Sequence, residues 1–94
     1  MKFGASITYN PDTAKMDEFR PVHRAYLTDL MNAGKLAIAG PFTDNSGSFI
    51  VYEAETKEQA EEMLKADPFC KNGIFASWLI RPWKVVFNNK DLFD

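Results

Sequence analysis

Lys2-Phe3-Gly4-Ala5-Ser6-Ile7-Thr8-Tyr9 decides how the rest of the chain is read. Phe3, Ala5, Ile7 and Tyr9 fall on one side of an extended backbone, and Lys2, Gly4, Ser6 and Thr8 fall on the other. That period of two predicts a β-strand. Asn10-Pro11-Asp12 then reads as a turn and a helix entry. Across residues 15–33 the apolar spacing changes to Phe19, Val22, Tyr26, Leu27 and Leu30, which is helical, and Gly34 supplies the stop. Pro21 lies inside this stretch and suits a first helical turn, which lets the regular helix begin there.

Residues 35–39 make a short strand ended by Gly40-Pro41-Phe42, and Asp44-Asn45-Ser46-Gly47 reads as a hairpin turn. Residues 48–54 form the next strand, apolar on both faces at Phe49, Ile50, Val51 and Tyr52. Thr56-Lys57-Glu58-Gln59 fits a capping box. The helix it opens turns Ala60, Met63 and Leu64 inward and ends by Asp67, because Pro68 disfavours a helical residue before it. After Asn72-Gly73 comes an extended run over 74–80. Arg81-Pro82 breaks it, residues 83–87 suggest a further short strand, and 88–94 form a polar tail with Leu92 and Phe93 as anchors.

The order is β-α-β-β-α-β, an α+β ferredoxin-like plan with two helices on one face of a four-stranded antiparallel sheet. Two helices cannot cover strands that are apolar on both faces. Phe49, Val51, Phe75 and Leu79, with their alternates Ile50, Tyr52, Trp78 and Ile80, cannot all be buried within one copy. The expected remedy is a homodimer packed sheet to sheet, a dimeric α/β barrel.

The 94 residues make a single domain, 46% hydrophobic and 26% charged. A net charge of −2 argues against nucleic acid as a partner. No stretch approaches the roughly 20 apolar residues of a membrane span. The N-terminus runs straight into strand patterning without signal-peptide features, and a lone cysteine cannot form an intrachain disulfide. Both lead to the expectation of a cytoplasmic protein.

Chain direction places three segments at one edge of this plan: the start of the first helix, the end of the second strand and the end of the second helix. They carry His23, Gly40-Pro41-Phe42 and Asp67-Pro68-Phe69. His23, the only histidine, lies on the apolar stripe of its helix and points inward. A carboxylate beside an imidazole fixes its tautomer and steadies its charged form, which makes a minimal acid/base pair. Two readings stay open. One is that pair; the other is a core histidine bonded to a backbone carbonyl, with Asp67 simply ending a helix. Arg20, one turn from His23, reads either as a holder of a substrate carboxylate or phenolate or as half of a surface ion pair. Pro41, Phe42 and Phe69 read as walls of a small apolar pocket or as packing. Cys70 would need a depressed pKa to act as a nucleophile. One His and one Cys without paired spacing supply no metal site, and the chain is small for enclosing haem.

Arg20-x-x-His23-x-x-x-Leu27, Gly34, Gly40-Pro41-Phe42, Gly47, Ala60, Asp67-Pro68-Phe69 and Ile80-Arg81-Pro82-Trp83 together resemble the YciI-like (YCII-related) family, over nearly the whole chain from Phe3 to Trp83. The resemblance implies a dimeric α/β barrel with a His–Asp pair at His23 and Asp67. It also implies kinship with dehydrochlorinase-like enzymes and, in fold, with muconolactone isomerases. The expected function is a cofactor-independent isomerase or lyase acting on a small cyclic or aromatic metabolite. The alternative is a non-catalytic ligand-binding or stress-response module.

Overall fold

The computed structural model describes residues 1–93. Its elements are β1 (Lys2–Tyr9), α1 (Thr13–Asn32), β2 (Leu36–Pro41), β3 (Gly47–Glu53), α2 (Lys57–Lys65), a short α3 (Pro68–Lys71) and β4 (Phe75–Trp83). The strands form one antiparallel sheet in the order β2-β3-β1-β4, the ferredoxin-like arrangement, with β1 and β3 in the middle.

Helix α1 starts earlier than the proline suggested. Asp12 caps it, Oδ1 accepting from the Lys15 N–H at 3.0 Å, and the helix then runs through Pro21. Pro21 cannot bond the Asp17 carbonyl, but both residues face solvent, where water can serve that carbonyl. The other end is a Schellman closure: Gly34, at φ +74°, donates to the Met31 carbonyl, and Lys35 N–H donates to that of Leu30. Thr56 caps α2 as expected, accepting from Gln59 N–H at 3.2 Å, while the Gln59 side chain accepts from Glu55 N–H at 2.9 Å. Gly47 is required where β3 crosses β1, because a Cβ there would collide with the Ile7 carbonyl.

The helix-covered face of the sheet carries Phe3, Ala5, Ile7, Ile50, Tyr52 and Ile80, all buried in the main core with Leu64 of α2 and Leu30 of α1. The opposite face carries Ile38, Phe49, Val51, Leu79 and Trp83. Leu79 is 54% exposed, Trp83 45% and Ile38 41%. The Phe49 and Trp83 rings meet edge to face at 6.0 Å on this side.

Phe75 departs from the alternation. The β1–β4 register pairs Thr8 with Ser77 but Tyr9 with Phe75, a bulge that turns Phe75 to the helix side. It is buried there, not on the open face with Leu79.

Two strand ends also differ from expectation. Arg81-Pro82 does not break β4, which continues to Trp83; β4 is an edge strand, where an N–H pointing away from the sheet needs no partner. The expected strand over 83–87 does not form. Trp83 already pairs with Lys2, and only Met1 lies beyond it on β1. Leu92 and Phe93, expected as anchors, are exposed around a 3₁₀ turn at Lys90–Leu92.

Candidate functional site

His23 lies in the middle of α1 rather than in its first turn, because the helix begins at Thr13. Its apolar-stripe position nevertheless turns the ring inward, and the side chain is buried. Asp67 occupies the extended residue between α2 and α3, at φ −63° and ψ 132°, the conformation that Pro68 demands. There it caps α3, Oδ1 accepting from the Phe69 N–H at 2.9 Å. The same oxygen lies 2.6 Å from His23 Nδ1. A carboxylate just past the end of α2 meets the unfavourable end of that helix, but the short α3, absent from the expected element order, gives Asp67 a favourable helix start as well.

An ionised carboxylate only accepts hydrogen bonds, so Nδ1 carries the proton and donates it to Asp67. The other ring nitrogen, Nε2, is left as the basic position. Nε2 has no hydrogen-bond partner among the described residues, and it is not one of the fully sealed unpartnered polar atoms. Those are Ser48 Oγ, the Tyr52 hydroxyl and Asp67 Oδ2.

Aromatic rings hold the imidazole in plane. Phe69, delivered by α3, stacks on it with centroids 3.9 Å apart and planes within 2°. Phe75 meets it edge-on at 6.3 Å. Tyr9, at the end of β1, meets Phe69 edge to face at 6.0 Å and stacks on Phe75 at 6.1 Å. The bulge in β4 is therefore what brings Phe75 into this cluster.

Burial pushes the Tyr9 phenol above its usual pKa, with Asp67 adding to the rise and the Ser48 hydroxyl and Arg20 opposing it. Tyr26 and Tyr52 are raised by burial first and by Asp67 second, so all three phenols stay protonated donors at neutral pH. Burial likewise pushes the Cys70 thiol up, with Asp67 second, which disfavours a nucleophilic thiolate.

The other sequence candidates divide. Phe69 joins the site directly. Arg20 pairs with Asp17 on the exposed side of α1, Nη1 to Oδ1 at 2.6 Å. Pro41 ends β2 opposite Ser48, and both Pro41 and Phe42 are exposed and outside the aromatic cluster. Tyr9 and Phe75, which join the aromatic cluster around His23, were missed as site residues. Tyr9 was within reach of the direction argument, since β1 ends at the same edge of the sheet where α1 starts. Among the described residues no three His, Cys, Asp or Glu side chains gather to hold a metal ion, and no helix is long and apolar enough to cross a membrane.

Fold and site together define a small α+β domain whose one imidazole is bound to a buried carboxylate on the helix-covered face of the sheet. The chain belongs to the YCII-related domain family, whose model matches residues 1–84. It is 33% identical over 78 residues to protein YciI of Escherichia coli O6:H1, covering 72% of this chain and 80% of that protein. It is 33% identical over 82 residues to the uncharacterized protein YjpA of Bacillus subtilis (strain 168), covering 83% of this chain and 95% of that one. Among solved structures it is similar to the 5-chloro-2-hydroxyhydroquinone dehydrochlorinase TftG of Burkholderia phenoliruptrix AC1100, in complex with 2,5-dihydroxybenzoquinone. That match has a TM-score of 0.77 and 30% identity, and covers 89% of this chain and 94% of that one.

Proposed function

We propose that the chain is a small-molecule enzyme in which His23 moves a proton and Asp67 orients and charges the imidazole. The observation that carries this is the 2.6 Å bond from Nδ1 to a sealed carboxylate, with Nε2 left without a partner. Nε2 takes a proton from a hydroxyl group or from a carbon beside a carbonyl, and Asp67 stabilises the imidazolium formed. The freed electron pair then either expels a leaving group as an anion or moves so that the imidazolium returns the proton to another carbon. The first outcome is a lyase or dehydrochlorinase reaction and the second is an isomerisation. Both run on the side chains already in the site.

The substrate class is a small oxygenated ring. The aromatic cluster around His23 supports it, as does the likeness to a dehydrochlorinase solved with 2,5-dihydroxybenzoquinone. The working unit is a homodimer joined through the open sheet faces, where Leu79, Trp83 and Ile38 are exposed. Cys70, the only cysteine, fits work in a reducing cytoplasm.

The test is a screen of hydroquinones, chlorohydroquinones and hydroxyquinones, followed by chloride release and absorbance, with 2,5-dihydroxybenzoquinone titrated as the binding probe. Turnover that His23→Gln lowers by about two to four orders of magnitude supports the enzyme reading. Saturable binding without product in every case assigns a binding module instead.

A further inference from the structure

We infer that the corner of the sheet where β1 begins and β4 ends is a second binding site, one that takes a planar organic anion of the aromatic carboxylate class. It lies on the open face, whereas His23 packs on the helix-covered one, so it stands or falls independently of the acid/base reading.

Lys2 and Trp83 are cross-strand partners in the last row of the β1–β4 ladder. A cavity of about 500 Å³ opens beside them, lined also by Met1, Pro82, Lys84 and Val85. That volume falls in the range of small-molecule sites. Val85 belongs to the tail beyond the residues that match the YCII-related model, so this wall is not part of the matched family core.

The indole is fixed from within the sheet. A Cβ on Gly4 would lie 3.0 Å from the Phe49 ring and 3.7 Å from Trp83 Cβ. The missing side chain lets Phe49 reach across β1 and meet Trp83 edge to face at 6.0 Å. Trp83 still leaves 45% of its surface open. A held indole beside Pro82 and Val85 gives a flat apolar surface for a planar ring.

Charge selects the sign of the ligand. Glu53 bonds Lys2 at 2.6 Å and lies 3.6 Å from the Met1 amine. Lys84 has no ion pair among the described residues. Neither has Arg81, which sits opposite Gly4 one row farther into the open face. Across these two rows and the cavity wall, one carboxylate therefore meets four cationic groups, in a chain whose net charge is −2. A cleft lined by one sign of charge concentrates ligands of the other. An inorganic anion would use the lysines and leave the indole bare; a neutral ring would do the opposite. An aromatic carboxylate uses both.

Nitrogen–proton NMR of the indole N–H groups tests the site, because Trp78 and Trp83 are the only tryptophans. Trp78 pairs with Ile7 on the helix-covered face and serves as the internal reference, and Trp83→Leu assigns the two signals. Titrating 2-naphthoate into the native protein should move the Trp83 signal to saturation and leave Trp78 in place. Lys84→Gln changes an exposed side chain that has no ion pair, so the fold should be kept while binding weakens about two- to fivefold, the worth of an exposed charge pair. The uncharged 2-naphthamide should bind native protein more weakly than 2-naphthoate does. A Trp83 signal that stays still overturns the site, including where a second copy covers this row. Equal binding of 2-naphthamide, or of 2-naphthoate to Lys84→Gln, overturns it as well. Each of these results leaves the His23 reading untouched.

Discussion

Replacing Asp67 with alanine removes two interactions made by one oxygen, and the structure allows the loss to be sized. Oδ1 caps α3 by accepting from Phe69 N–H at 2.9 Å, a contribution of about 1 kcal/mol. It also accepts from His23 Nδ1 at 2.6 Å in a site that is closed to water on the carboxylate side. Stranding that buried imidazole donor costs about a further 1–3 kcal/mol. Asp67→Ala should therefore lose about 2–4 kcal/mol in all. Asp12→Ala is the matched control. Asp12 also caps a helix, accepting from Lys15 N–H at 3.0 Å, but it has no imidazole, so about 1 kcal/mol is expected. Urea unfolding of both variants at one protein concentration is the assay, since association would make stability depend on concentration. Equal losses in the two variants would refute the reasoning, because the His23 bond would then contribute nothing.

Leu79→Asp places a charge on the open apolar face without touching the helix-covered core. Sedimentation should find native protein near twice 10.7 kDa and the variant at the single-chain mass. A native monomer at micromolar concentration would remove the dimer. Pro21→Ala restores an N–H to the Asp17 carbonyl within α1 and should raise stability by at least about 1 kcal/mol in urea; a loss would show that the proline is fitted to its place. Burial raises the Cys70 pKa, so less thiolate is present at any given pH than in a free thiol. Its alkylation rate at pH 8 should fall below that of a short cysteine peptide, and the rate–pH curve should shift upward; a faster rate would contradict the burial argument.

The parts of this fold that were legible in the sequence are those governed by local rules. Alternation over Lys2–Tyr9, the Thr56 cap and the Gly34 stop each state their own geometry, and all three form as read. The misreadings come where the neighbouring strand decides. Pro82 looks like a break until β4 proves to be an edge. Phe75 looks like an open-face residue until a one-residue register shift turns it toward Tyr9, and no feature of residues 74–80 announces that shift. The 83–87 run has strand-like residues but no partner left to pair with. At the site, His23 and Asp67 were found because chain direction alone sets them at one edge. The resemblance to the YCII-related family named the same two positions. Phe75 escaped because a residue on a strand shows no sign of which face it takes until the register is known, whereas Tyr9 could have been found from the direction of β1 alone.

His23 is the only histidine, so its ring nitrogens give the only imidazole signals in a nitrogen NMR spectrum. At about pH 8.5, where an ordinary imidazole is neutral, the long-range nitrogen–proton correlation pattern shows directly which nitrogen holds the proton. The bond to Asp67 predicts a single tautomer with the proton on Nδ1 and Nε2 bare, shifting toward a mixture in Asp67→Ala. A native spectrum with the proton on Nε2 would mean that the carboxylate does not set the ring, and the acid/base reading of His23 would fall.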